Sequence, residues 1–263
     1  MYHWLAAHVR EAQITARVDA AAGKSGDPHV LVSIDVKNAF NCLMSKQLLE
    51  TMNKGYQAIS QERPPPEPGL NDEEQCTWDI LWPYVFSHYA EHSDLRYFHA
   101  GQQHIIASQS GVHQGDPLGS DLFALTIHPS LVKVADKHQR TRISGYADNL
   151  FLFGRAKYVA DALEDLEKHL LEMGLTLNPA DSVCFFPAGS NLSVFHYGEN
   201  KSIPVAVSGI KILGSALGSA HFCEAAMQEK INRILGDLNV IKKVPSLHLQ
   251  QKLVTYCCNN RLS

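Results

Sequence analysis

At 263 residues the chain is long enough to bury roughly three quarters of its unfolded surface, and with 45% hydrophobic and 19% charged residues it is globular rather than disordered. No apolar run reaches the ~18 residues of a membrane span, MYHWLAAHVREAQ at the start lacks a secretory h-region, and the six cysteines form no C-x-x-C pair. The net charge of −4 counts against a nucleic-acid partner only as an average: residues 60–94 hold eight acids against Arg63, whereas residues 228–263 hold six bases against Glu229 and Asp237. A soluble, intracellular chain with free thiols and no membrane partner is expected, with nucleus and cytoplasm equally open. Neither a zinc ribbon nor a disulfide framework is indicated.

Taken in chain order, residues 2–22 read as helix, and GDPH at 26–29 ends that element before the β-branched run VLVSIDV, a strand over 30–36. A helix is predicted from Ser45 to Tyr56. RPPPEPG at 63–69 continues neither helix nor sheet, because its prolines remove donors, and with its surroundings (about 60–94) it reads as an acidic surface insertion. Trp78 to Tyr89 is a predicted helix containing Pro83, followed by two short strands, LRYFHA and QHIIASQ, joined near Gly101. Residues 121–137 suit a helix with Phe123, Ile127, Leu131 and Val134 on one face. ISGYADNLFLFG, at 143–154, is two apolar runs joined at Tyr146-Ala147-Asp148-Asn149, a hairpin with a lone acid at its tip. Val159, Leu163, Leu166, Leu170 and Met173 then mark an amphipathic helix closed by Gly174 as its C′ residue. Strands at LTLN and SVCFF complete a series that implies one antiparallel sheet with helices on one face, an α+β, ferredoxin-like (split βαβ) arrangement.

In such a fold Asp35 ends a central strand and Asp148 tops a hairpin whose strands neighbour it. Two carboxylates at adjacent strand ends suit divalent cations, Mg²⁺ above all, which takes hard oxygen ligands and keeps positions for substrate phosphates. Two acids alone do not specify a reaction. Five segments narrow it: VLVSIDVKNAFN, SGVHQGDPLGSDLFAL, GYADNLFLFG, MGLTLNPADS and GIKILGSALGS. In order and spacing they resemble the palm motifs of reverse transcriptases, with greatest likeness to those of non-LTR (LINE-type) retrotransposons, over about Val30 to Gly218.

The resemblance implies RNA-directed DNA synthesis by two-metal phosphoryl transfer, with a primer on an RNA or DNA template, dNTP substrates and two Mg²⁺ or Mn²⁺ ions held by Asp35 and Asp148. It places Phe40 as the steric gate against a 2′-hydroxyl, where the other reading is a core aromatic. Gln114 and Gly115 fall in the loop near nucleotide and template, Tyr146 precedes the hairpin acid, and Leu213 and Gly214 fall in the primer-grip hairpin. QGDPLG also reads as a loop entering a helix, and KILG as an apolar turn.

Two positions depart from the pattern. Asn149 stands where the family has a second Asp, and Asp181 where many members have a Lys after LNP-x, so catalysis is expected to be impaired. The alternative is a catalytically inactive, nucleic-acid-binding remnant of a retrotransposon. The implied organisation is an N-terminal helix left from the fingers (1–29), a palm (30–200), and a primer-grip hairpin with the start of a helical thumb (201–263). The fingers are largely missing, absent or supplied by another segment.

Overall fold

The computed structural model describes residues 10, 11, 14, 27–62, 77–91, 93–108, 110–113 and 115–258. Apart from residues 10, 11 and 14, the predicted N-terminal helix lies outside them, as do RPPPEPG and Gln114. The chain divides into two compact units, one built on residues 26–184 and 193–205 and the other including 185–192 and 206–263.

The first unit is organised by strand β1 (His29–Ile34), whose Val30, Leu31, Val32 and Ile34 are buried. It pairs antiparallel with β5 (Asn149–Arg155), itself the second arm of the predicted hairpin after β4 (Thr141–Tyr146). Strands β6 (Val183–Phe185), β7 (Val194–Tyr197) and β8 (Lys201–Ala206) complete a six-stranded sheet in the order β4-β5-β1-β6-β8-β7. Continuous burial from Leu150 to Gly154 shows that β5 is covered on both faces, which is why it reads as an unbroken apolar run rather than an alternating one.

The helices are α1 (Ala39–Cys42), α2 (Ser45–Glu62), α3 (Thr77–Tyr89), α4 (Gly119–Lys137) and α5 (Ala156–Glu172). The predicted apolar face of α5 is the buried one, with Val159, Leu163, Leu166 and Leu170 at 0% exposure. Its end is a Schellman motif. Gly174 at φ +80 donates its N–H to Leu171 O (3.0 Å), and Leu175 donates to Leu170 O (2.9 Å), so the glycine takes the left-handed C′ conformation that its position predicts.

Three expectations change. LTLN is not a strand but contributes one bridge, Val36 to Leu177, just past the end of β1. The strands around Gly101, β2 (Ser93–His99) and β3 (Gln102–Ser108), do not join the sheet; they form a separate two-stranded ribbon. Strands β7 and β8 were not expected, since both are short and β8 contains Pro204. The architecture remains mixed α/β with a mainly antiparallel sheet and packed helices.

The second unit contains the hairpin of β9 (Gly209–Ile212) and β10 (Ser215–Gly218), helix α6 (Ala220–Ile241), helix α7 (Leu247–Leu253) and a π-helical turn at Val254–Cys258. Ser219 caps α6 by accepting from Phe222 N at 3.2 Å. Ile234 and Ile241 pack with Leu238 and Val254. Among the described residues no helix is long and apolar enough to cross a membrane, and Cys42, Cys184, Cys223 and Cys257 are free thiols.

Candidate active site

The β1–β5 register ends at Ile34 opposite Leu150, which brings Asp35 beside the tip of the β4–β5 hairpin. That tip is a two-residue turn, Ala147-Asp148, closed by the pair Tyr146 and Asn149. Ala147 has φ 52, a conformation that two-residue hairpin turns favour and that glycine supplies more cheaply. The turn lifts Asp148 out of the sheet. Asp35 and Asp148 then line one cleft of about 430 Å³, together with Lys37, Phe40, Asn178 and Asp181.

Asp35 is held on several sides. Its backbone N–H donates to Ser182 Oγ (3.0 Å), its carbonyl accepts from Asn178 N (2.9 Å), and its Oδ2 accepts from Asn178 Nδ2 (3.1 Å). The same nitrogen donates to Asp181 Oδ2 at 2.6 Å. Asp148 Oδ1 accepts a longer bond, 3.4 Å, from the amide of Asn149. Tyr146 is exposed, at 58% of its surface.

Phe40 is half-buried. It lines the cleft, and its ring packs on the buried Phe123 with centroids 4.9 Å apart. The segment that carries it is pinned from behind by two short backbone bonds, Gly111 N to Leu43 O and Val112 N to Phe40 O, each 2.7 Å. Gly115 is exposed, with φ +94, and a Cβ there would meet no protein atom, so its requirement for glycine is conformational and not one of protein packing. Leu213 and Gly214 are the two turn residues of the β9–β10 hairpin in the second unit, with φ 48 and 79. A bulky leucine at positive φ is uncommon, and this one is 41% exposed.

Sequence reasoning missed Asp116. Its carboxylate accepts from Tyr84 Oη (3.0 Å), Tyr89 Oη (2.5 Å) and Leu118 N (2.9 Å), tying α3 to the loop that starts α4. The Asp-Pro step in QGDPLG was the available signal, because an Asp side chain bonding two residues on is a common turn device. Desolvation pushes the Asp116 carboxyl upward, but the hydrogen bonds from Tyr89, Leu118 and Tyr84 outweigh it and leave the group below its ordinary range. Burial, reinforced by the Asp116 bond, pushes the Tyr89 hydroxyl far above its usual value.

A carboxyl whose folded-state pKa is depressed stabilises the fold above its unfolded pKa, near 4, and loses that contribution as pH falls through the lower folded value. The difference in melting temperature between the protein and Asp116→Asn is therefore expected to be full at pH 6 and to shrink below about pH 4. Thermal unfolding followed from pH 7 to pH 2 measures it; a constant gap would contradict the bonding assigned to Asp116.

Among the described residues no three His, Cys, Asp or Glu side chains gather as a metal-binding group. The cleft is lined by three carboxylates, Asp35, Asp148 and Asp181, one oxygen of each accepting from an amide, and hard oxygen donors such as those of Asp35 and Asp148 fit a cation such as Mg²⁺ that completes its shell with phosphates and water. Around Glu229, two of the basic residues of the second unit are already paired, Lys211 at 2.8 Å and Arg233 at 3.2 Å.

Among solved structures, telomerase from Candida albicans in complex with a fragment of telomeric RNA superimposes with TM-score 0.53 at 11% identity, over 84% of this chain and 34% of that one. Apo telomerase from Candida tropicalis gives 0.51 at 14% identity, over 81% and 34%. At these identities the likeness is one of fold, and the chain spans about a third of the telomerase chains. No curated protein matches it. The model of the reverse transcriptase (RNA-dependent DNA polymerase) family matches residues 5–217. That span includes β1 with Asp35, the Asp148 hairpin and the β9–β10 turn, and the chain belongs to the reverse transcriptase family.

Proposed function

We propose that the chain is a reverse-transcriptase palm of the non-LTR (LINE-type) retrotransposon kind, performing RNA-templated DNA synthesis from dNTPs at a rate much reduced by Asn149 and Asp181. The observation that carries this reading is that Asp35 and Asp148, distant in sequence, line one cleft with Phe40. They would hold Mg²⁺ or Mn²⁺, two ions in the active form. Bound there, the ions would supply charge neutralisation at the attacking and leaving oxygens of an in-line displacement.

The remaining chemistry falls to the chain's own side chains. Phe40, backed by Phe123, stands under the sugar and leaves no space for a 2′-hydroxyl. Lys37 adds positive charge to the cleft wall, suited to phosphates, while Asp181 opposes it. Gln114, Gly115 and Tyr146 contact nucleotide and template, and Leu213 and Gly214 grip the primer end. Residues 1–29 belong with the fingers, residues 30–200 act as the palm, and residues 201–263 supply the primer grip and thumb helices. The basic residues Lys230, Lys242, Lys243 and Lys252 suit a duplex backbone.

A second reading, a binding module without turnover, is favoured by one feature, the amide of Asn149 donating to Asp148 where a second acid would stand. Primer extension on an RNA template with Mg²⁺ or Mn²⁺ decides between them. Slow extension abolished by Asp35→Asn supports the polymerase. Extension that survives Asp35→Asn overturns it. Primer–template retention that falls steeply with salt, without extension, establishes the binding module.

A further inference from the structure

We infer that Asn178 is the positioning residue for the Asp35 carboxylate, and that Asp181 draws on the same nitrogen. The assignment rests on the reading of Asp35 as a cation ligand.

Asn178 precedes Pro179, which disfavours helix and holds Asn178 extended, in line with the bridge from Val36 to Leu177. Lys37 N donating to Thr176 O at 2.9 Å and Asn178 N donating to Asp35 O at 2.9 Å fasten the two segments side by side. The turn that follows is tightened by Ser182, buried at 1% exposure, whose hydroxyl donates to Asn178 O (2.8 Å) while accepting from Asp35 N (3.0 Å). The backbone of Asp35 is thereby fixed on both its N–H and its C=O, and the amide of Asn178 reaches the carboxylate from that same frame.

A side-chain amide nitrogen has two hydrogens and no acceptor capacity. At Asn178 both are engaged, one by Asp35 Oδ2 at 3.1 Å and one by Asp181 Oδ2 at 2.6 Å. The two carboxylate oxygens are consequently no further apart than those two contacts laid end to end. The nitrogen bonds one oxygen of Asp35, orienting the group. Asp181 takes the shorter bond, so the residue at 181 influences how firmly Asp35 is held. A partner of this kind that orients a metal-binding carboxylate typically affects cation affinity by roughly ten- to a hundredfold.

Titration with Mn²⁺ alone, read by paramagnetic broadening of the Val36 and Ala39 amide resonances in the cleft wall, tests the assignment without turnover. For Asn178→Ala the concentration of half effect is expected to rise about tenfold or more. The near-isosteric Asn178→Leu, which fills the space without the donor, should match it, and guards against loss of fold in the alanine variant. A purely structural role would lower the melting temperature and leave the Mn²⁺ titration unmoved, which overturns the positioning assignment. Asp35→Asn is the reference. If it shifts the titration and the Asn178 variants do not, only the role of Asn178 falls; if Asp35→Asn itself has no effect, the cation reading of the cleft falls and Asn178 with it.

Discussion

Primer extension by Asn149→Asp is expected to exceed that of the unaltered chain by about a thousandfold. Position 149 closes the hairpin turn beside Asp148 and follows the register that ends with Ile34 opposite Leu150, so an acid there adds charge next to the Asp35 cleft. Its present side chain donates toward Asp148 at 3.4 Å instead of contributing charge. One unit charge at ~4 Å in an effective dielectric near 20 is worth about 4 kcal/mol gross. Each 1.36 kcal/mol changes a rate tenfold, so that interaction corresponds to roughly three orders of magnitude. Without a cation, two adjacent carboxylates repel, and the variant should melt at a lower temperature whose recovery depends on added Mg²⁺. Single-turnover extension on an RNA template, with melting curves run with and without Mg²⁺, measures both. Robust extension by the unaltered chain would contradict the importance given to the missing charge.

Gly111→Ala is expected to be the most damaging single methyl in the first unit. A Cβ at 111 would lie 2.5 Å from Phe40 O and 2.6 Å from Asn41 Cα, backbone atoms that cannot rotate aside. The residue also has φ +87, which an L side chain tolerates poorly. Overpacking typically costs about 1–3 kcal/mol and the left-handed backbone about 1–2 more, a loss of about 2–5 kcal/mol. The damage would fall on the bonds from Gly111 to Leu43 O and from Val112 to Phe40 O, which hold the cleft wall in place. Urea denaturation should show the midpoint falling sharply with little change in slope. A variant as stable as the parent would mean that this close approach is not maintained in solution.

The two effects differ in kind. Asn149 alters charge at a surface turn and leaves the core untouched, whereas Gly111 is a packing constraint behind the cleft with no chemistry of its own. Comparing them separates loss of function through electrostatics from loss through displacement of Phe40.

Elements whose signal is local were readable directly from the residues. VLVSI announces β1 because a doubly buried strand needs an apolar run, and the spacing of Val159, Leu163, Leu166 and Leu170 with Gly174 announces α5 and its Schellman end. The turn at Tyr146-Ala147-Asp148-Asn149 follows in the same way, since two apolar strands must be joined by something short and polar. What depends on long-range pairing was not readable. Whether β2 and β3 enter the sheet or stand apart, and whether the short β7 and β8 extend it, is decided by which edges meet in space, and no periodicity encodes that. The same holds for Asn178 and Asp116. Their roles come from Asp35, Tyr84 and Tyr89, partners brought within hydrogen-bond reach by folding, so residue type and spacing marked the acids of this cleft while three-dimensional packing selected the groups that hold them.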